Sequence, residues 1–275
     1  MKYKLFATDM DGTLVNDKSE LTERTKSAII KTVEAGVLFV TATGRPFSNV
    51  DIVNRLFVNS DVDVDMPFIV FNGATAYMGK SRKLLFEKFL DFELAKEAFE
   101  LGEKEGVAQI IWTGPRLWAN RLCDETLRYQ SRSSGLDMNL VTDFDALKDE
   151  VEGVSKVLWI TEPERVTRLR FEMGAHFADR LNCVSSMAYF LEFICSDAGK
   201  GPALAEICKL YDIDRTEVVA VGDSYNDVSM LEFAGFSVAV ENAPDDIKAV
   251  CDHVTASNND DGVAEVIERF ILSHH

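Results

Sequence analysis

Leu5-Phe6-Ala7-Thr8-Asp9-Met10-Asp11-Gly12-Thr13-Leu14 is a short apolar run that breaks into two aspartates two residues apart, followed by a glycine. Residues 3–7 are nearly all apolar and too few for a helix, which predicts a parallel strand buried on both faces. Ligands of open α/β sheets bind in the crevice beyond the carboxyl edge of the strands, so the chemistry belongs at the end of this one. Gly12 permits a tight turn that lets Asp9 and Asp11 both face the crevice. An ionised carboxylate can act as a nucleophile without a base, and a second carboxyl with a raised pKa can donate a proton to a leaving group. One loop can thus hold nucleophile and acid, although the same pentapeptide also suits an Asx turn that merely closes a strand.

Outward from this loop the pattern repeats. Residues 21–35 carry apolar positions at helical spacing and stop at Gly36, which predicts a helix. Residues 37–42 form the next apolar run and lead into Thr43-Gly44-Arg45-Pro46, where Pro46 suits the start of a helix. A hydroxyl, a glycine amide and a helix N-terminus together make an anion cradle. Arg45 is placed to clamp a phosphate or another acidic group of a substrate, or else to stand in solvent. Residues 68–71 predict a third strand, and Asn72-Gly73 a hairpin turn after it.

Beyond residue 86 the texture changes to short strands and helices, with helices expected over 91–105, 123–133 and 164–178. This predicts an α+β insertion with an antiparallel sheet over residues 87–188, inside a core made of 1–86 and 189–275. Trp112, Trp118, Arg121, Arg128, Tyr129 and Arg132 are candidates for a substrate pocket in the insertion or for its core and solvated face. The core pattern then resumes. Lys200 stands at a predicted helix N-terminus, where the macrodipole disfavours it by roughly 0.3–1 kcal/mol, a cost explained if its ammonium points at carboxylates and a phosphate. An exposed surface lysine is the alternative. Residues 217–221 predict a further strand, which ends in Gly222-Asp223-Ser224-Tyr225-Asn226-Asp227.

The chain has 275 residues and a formal net charge of −17, which argues against nucleic acid or an anionic membrane as a partner. Nothing near Met1 has the apolar core of a signal peptide, and no apolar run is long enough to span a bilayer. Five widely spaced cysteines show no metal-ligand pattern, which points to a reducing cytoplasm. Several carboxylates gathered at one sheet edge repel one another unless a cation joins them, and all-oxygen ligands beside a phosphate suggest Mg²⁺.

In this order and spacing, Asp9-Met10-Asp11-Gly12-Thr13, Thr43-Gly44-Arg45, Lys200-Gly201 and Gly222-Asp223-Ser224-Tyr225-Asn226-Asp227 resemble the four motifs of the haloacid dehalogenase superfamily. Asn72-Gly73-Ala74, Asn242-Ala243 and residues 257–263 add weaker matches. The resemblance is narrower still to the Cof-type sugar phosphatases of subfamily IIB. It implies a Rossmann-like α/β core with helices on both faces of a parallel sheet, and an α+β cap that selects substrates.

By this resemblance Asp9 is the nucleophile that forms an aspartyl-phosphate, and Asp11 the general acid and then base. Thr43 and the Gly44 amide hold the phosphoryl oxygens, Lys200 offsets the charge, and Asn226 orients Lys200 or the phosphate. Mg²⁺ is implied on the Asp9 carboxylate, the Asp11 backbone carbonyl and Asp223, with Asp227 behind them. Cys195, Asp197 and Gly199 depart from the family's usual residues before the lysine. The implied activity is hydrolysis of a small phosphorylated metabolite. A phosphomutase or phosphotransferase would use the same core, and a phosphate-binding regulator is the reading from outside enzymes.

Overall fold

A computed structural model of the chain describes residues 2–45, 51–54, 56, 64–114, 116–132 and 136–273. Pro46 and the expected helix start there lie outside these residues. In chain order the elements are β1 (Leu5–Asp9), α1 (Glu23–Glu34), β2 (Leu38–Ala42), α2 (Asp51–Asn54), β3 (Pro67–Val70), β4 (Thr75–Met78) and β5 (Leu84–Glu87). Next come α3 (Phe92–Glu105), β6 (Ala108–Thr113), β7 (Arg116–Ala119), α4 (Asp124–Arg132), β8 (Met138–Leu140), β9 (Lys156–Ile160), α5 (Pro163–Phe177), β10 (Leu181–Met187) and β11 (Phe190–Cys195). Then come α6 (Lys200–Leu210), β12 (Val218–Gly222), α7 (Val228–Phe233), β13 (Phe236–Val240), α8 (Asp245–Ala249), β14 (His253–Thr255) and α9 (Gly262–Val266), which continues as a π-helical stretch over Ile267–Leu272.

The chain divides into two compact units, Met1–Phe86 with Gly199–His275, and Glu87–Ala198. The first holds an eight-stranded sheet in the order β14-β13-β12-β1-β2-β3-β4-β5. Strands β1, β2, β3, β12, β13 and β14 run parallel, and β4 returns antiparallel to β3. Every residue of β1 and β12 is buried, as continuous apolar runs between two layers require. From β1 the chain winds outward through β2 and β3, whereas after α6 it winds the other way through β12, β13 and β14. The carboxyl ends of β1 and β12 therefore flank the reversal of strand order, where a crevice forms. Asn72 takes the turn after β3 with φ 53°, followed by Gly73 at φ 96°.

The second unit has a six-stranded sheet in the order β10-β11-β9-β6-β7-β8, antiparallel except where β8 joins β7. One apolar core joins Ile111, Trp118, Val157, Trp159 and Phe193 of the sheet to Ala98 and Phe99 of α3 and Leu169 and Phe177 of α5. The unit runs ten residues past the boundary expected at residue 188, to Ala198. The reason is pairing: β11 lies between β9 and β10, so its apolar pattern belongs to this sheet and not to the core. Strands β8 and β14 have three residues each, too few for an alternation to show in sequence. Among the described residues no helix is long and apolar enough to cross a membrane.

Candidate active site

The parallel register sets Ala7 beside Ala220 and Thr8 beside Val221, so the chain leaves β1 and β12 side by side. Asp9 is the last residue of β1 and only 5% exposed. Asp223 follows β12, and the Thr13 hydroxyl donates to its Oδ1 at 2.7 Å. Gly12 is required here on two counts: φ is +79°, and a Cβ would come 2.8 Å from Asp223 Oδ2.

Lys200 opens α6 and is fully buried. Its Nζ donates to Asp9 Oδ1 and to Asp227 Oδ1, each at 2.5 Å. Gly73 and Gly201 explain how a lysine enters so tight a place. A Cβ on Gly73 would come 2.1 Å from the Gly199 carbonyl oxygen, and one on Gly201 would come 2.2 Å from that of Ser229. Backbone thus packs directly on backbone to either side of Lys200, with the Gly201 N–H donating to Ser229 Oγ. The departures at Cys195, Asp197 and Gly199 leave Lys200 aimed at the carboxylates.

Asp227 is wholly buried and its oxygens are engaged. Oδ1 takes Lys200, while Oδ2 accepts the N–H groups of Asp223 at 3.1 Å and Ser224 at 3.0 Å. Asp9, Asp223 and Asp227 each bring a carboxylate oxygen within 4.8 Å of the others. Burial pushes Asp9 well above the ordinary carboxylate range; Lys200 opposes this, and Asp227 and Asp223 add to it. Burial also raises Asp223, against the hydrogen bond from Thr13. For Lys200 burial works downward, but the charges of Asp227 and Asp9 hold it above the usual lysine value. Two buried carboxylates, Asp9 and Asp227, and the partly buried Asp223 beside one ammonium form a group of oxygen donors that fits a hard divalent cation. Asp227 is the least available of the three, which leaves Asp9 and Asp223 as the carboxylates able to take a metal.

The loop after β2 completes one side. Thr43 is buried, its carbonyl accepts the Asn72 N–H at 3.0 Å, and its hydroxyl oxygen accepts the Arg45 N–H at 3.1 Å. That second bond uses a lone pair and not the O–H of Thr43. Gly44 lies between them, partly exposed. Two of the expected residues make contacts within the protein. Arg45, expected on a substrate anion, gives Nε and Nη2 to the two carboxylate oxygens of Asp11. Asn226, expected to orient Lys200 or the phosphate, donates Nδ2 to Asn72 Oδ1 at 2.9 Å, while Lys200 takes its orientation from Asp9 and Asp227. In both cases the partner is a polar side chain on a neighbouring loop.

Sequence reasoning assigned no role to the Thr13 hydroxyl or to Asn242, whose Nδ2 donates to the Gly12 carbonyl at 2.8 Å and whose Oδ1 accepts the Asn258 N–H. The only signal was their place in motif-like stretches. In the second unit Trp112, Trp118 and Tyr129 are buried, and the Trp112 indole N–H donates to the Tyr129 hydroxyl at 2.9 Å. They act as core there, while Arg121 is exposed and reaches the Gly106 carbonyl.

The sequence profile of the haloacid dehalogenase-like hydrolases matches residues 6–267. The chain is 30% identical to YxeH of Bacillus subtilis over 98% of this chain and 99% of that one. It is 28% identical to the 5-amino-6-(5-phospho-D-ribitylamino)uracil phosphatase YwtE of the same organism, over 99% of each. Its fold is similar to that of a haloacid dehalogenase-like hydrolase from Bacteroides thetaiotaomicron, with a TM-score of 0.82 and 30% identity over 98% of this chain and 99% of that one.

Proposed function

The chain belongs to the haloacid dehalogenase-like hydrolases, and from that footing we propose that it is a Mg²⁺-dependent phosphatase of small phosphorylated metabolites, working through an aspartyl-phosphate. The observation that carries this reading is the Lys200 ammonium held 2.5 Å from Asp9, at the carboxyl end of β1 and beside Asp223. A buried carboxylate at a strand end, backed by a fixed cation and a second acidic loop, suits attack on phosphorus. Phosphoryl transfer depends mainly on positioning and on stabilising charge.

In the proposed first step an Asp9 oxygen bonds to phosphorus and the ester bond breaks, its electron pair leaving with the substrate oxygen. Asp11 gives that oxygen a proton. In the second step water attacks phosphorus, Asp11 takes the water's proton, and Asp9 is released as a carboxylate with inorganic phosphate. The Thr43 O–H and the Gly44 amide would hold the phosphoryl oxygens, and Lys200 would offset the repulsion between them and Asp9. Mg²⁺ would be held by the Asp9 and Asp223 carboxylates and the Asp11 backbone carbonyl. When bound it supplies charge neutralisation between nucleophile and phosphoryl group. Asp227 acts by fixing Lys200 and the 223–224 amides. The five cysteines are all free, which fits a proposed cytoplasmic setting.

The test is phosphate release from a panel of sugar phosphates, nucleotides, pyridoxal phosphate and 5-amino-6-(5-phospho-D-ribitylamino)uracil, the last chosen because YwtE is a phosphatase of that compound. Each is run with Mg²⁺, with EDTA and with Asp9→Asn. Release that needs the metal and is lost in a folded Asp9→Asn protein is the expected result. Turnover near wild type in that variant would sink the covalent mechanism.

A further inference from the structure

Arg45 meets Asp11 in a two-point fork, with Nε donating to Oδ2 at 2.8 Å and Nη2 to Oδ1 at 2.5 Å. The pair is partly sheltered, its side chains 24% and 37% exposed. The Arg45 backbone is pinned as well, since its N–H donates to Thr43 Oγ1 and its carbonyl accepts the Phe71 N–H at 3.3 Å. Strands β1 and β2 pair in register, Asp9 beside Ala42, so their following loops lie next to each other. The guanidinium is carried from one loop to the other, and two of its donors are spent on Asp11.

We propose that Arg45 is a positioning residue for Asp11, holding it as the base for hydrolysis of the phosphoenzyme. This rests on the reading of Asp9 as nucleophile and Asp11 as acid and base. A two-point guanidinium fork holds the Asp11 carboxyl group in one plane and one orientation, as proton transfer from an attacking water requires. Each carboxylate oxygen keeps a further lone pair to receive the water's proton. In that step the water oxygen bonds to phosphorus, its proton passes to Asp11, and the bond from phosphorus to Asp9 breaks with its electron pair returning to Asp9. The first step differs: a nitrophenolate leaving group departs without a proton, so phosphorylation by nitrophenyl phosphate does not need Arg45.

The test uses p-nitrophenyl phosphate and Mg²⁺ with the full-length protein and its Arg45→Gln and Arg45→Lys variants. Arg45→Gln is expected to release about one nitrophenolate per active site in a burst, then turn over about 10²-fold more slowly than wild type. Its kcat/KM stays within about threefold, because that ratio reports only steps through phosphorylation. Phosphorylated protein accumulates and is seen by intact mass. Arg45→Lys keeps the charge but cannot fork, so it shows the same burst. A raised KM with a fallen kcat/KM and no burst overturns the proposal and returns Arg45 to the substrate. Wild-type turnover in Arg45→Lys also overturns it. A wild-type protein inert to nitrophenyl phosphate and to the whole panel overturns the phosphatase reading itself, so the two failures are distinct.

Discussion

Lys156→Met in the second unit is expected to destabilise the protein by about 3–5 kcal/mol, and adding Glu192→Leu to recover most of that loss. Lys156 is fully buried and Glu192 nearly so, with Nζ 3.0 Å from Oε1. At an effective dielectric constant near 20, charges at that separation attract by about 5.5 kcal/mol. Removing both charges from water costs several kcal/mol each, so the intact pair contributes little net stability. Removing only the lysine takes from the buried Glu192 carboxylate the opposite charge that lies 3.0 Å from it. At about 4 °C per kcal/mol for a unit of this size, Lys156→Met lowers its Tm by about 12–20 °C. All three tryptophans of the chain, Trp112, Trp118 and Trp159, are buried in this unit, so urea unfolding followed by tryptophan emission reports on it selectively. A double-mutant cycle then gives a coupling of about 5 kcal/mol or more, since each single variant leaves one buried charge without the other. Additive single losses, or a Lys156→Met cost below about 1 kcal/mol, would refute the reasoning.

Asp227→Asn keeps one oxygen for the Asp223 and Ser224 amides but turns an NH₂ toward the Lys200 ammonium; kcat should fall about 10²-fold and stability by about 1–3 kcal/mol, read by steady-state kinetics and by urea midpoint. Gly73→Ala puts a Cβ 2.1 Å from the Gly199 carbonyl oxygen at a φ of +96°, and is expected to lose about 1–3 kcal/mol together with activity, since the segment it displaces carries Lys200. Glu97 is held below the usual glutamate range by the hydrogen bond from Arg180, with burial opposing and His176 assisting. A depressed folded-state pKa stabilises above the unfolded value and is lost as pH falls through the folded one. Because Glu97 is 35% exposed, Glu97→Gln should cost at most about 1 kcal/mol at pH 7, a difference that closes in thermal melts as pH falls below about 4.3.

Much of the core could be read in advance because its signals are local. Residues 236–240 predict a strand and form β13, and the helix expected over 91–105 forms α3 behind an Asp91 cap. The second unit was less legible at its far edge, where β11 looks like any other buried strand until its neighbours are known. In the site, Lys200 could be inferred at a helix start, but not that Gly73 and Gly201 would let backbone close around it.

The sequence by itself determined which residues end the apolar strands, and therefore that Asp9, Thr43 and Asp223 gather at one sheet edge. It also placed a glycine, Gly12, where a tight turn after β1 is needed, because glycine adopts such turns most freely. Tertiary structure alone decided who pairs with whom: Arg45 with Asp11, Asn226 with Asn72, Lys156 with Glu192, and Lys200 with both Asp9 and Asp227. Hydrophobic periodicity specifies the face a side chain turns to, whereas a polar partner is specified by the donors and acceptors that folding brings within about 3 Å, drawn from segments far apart in the chain.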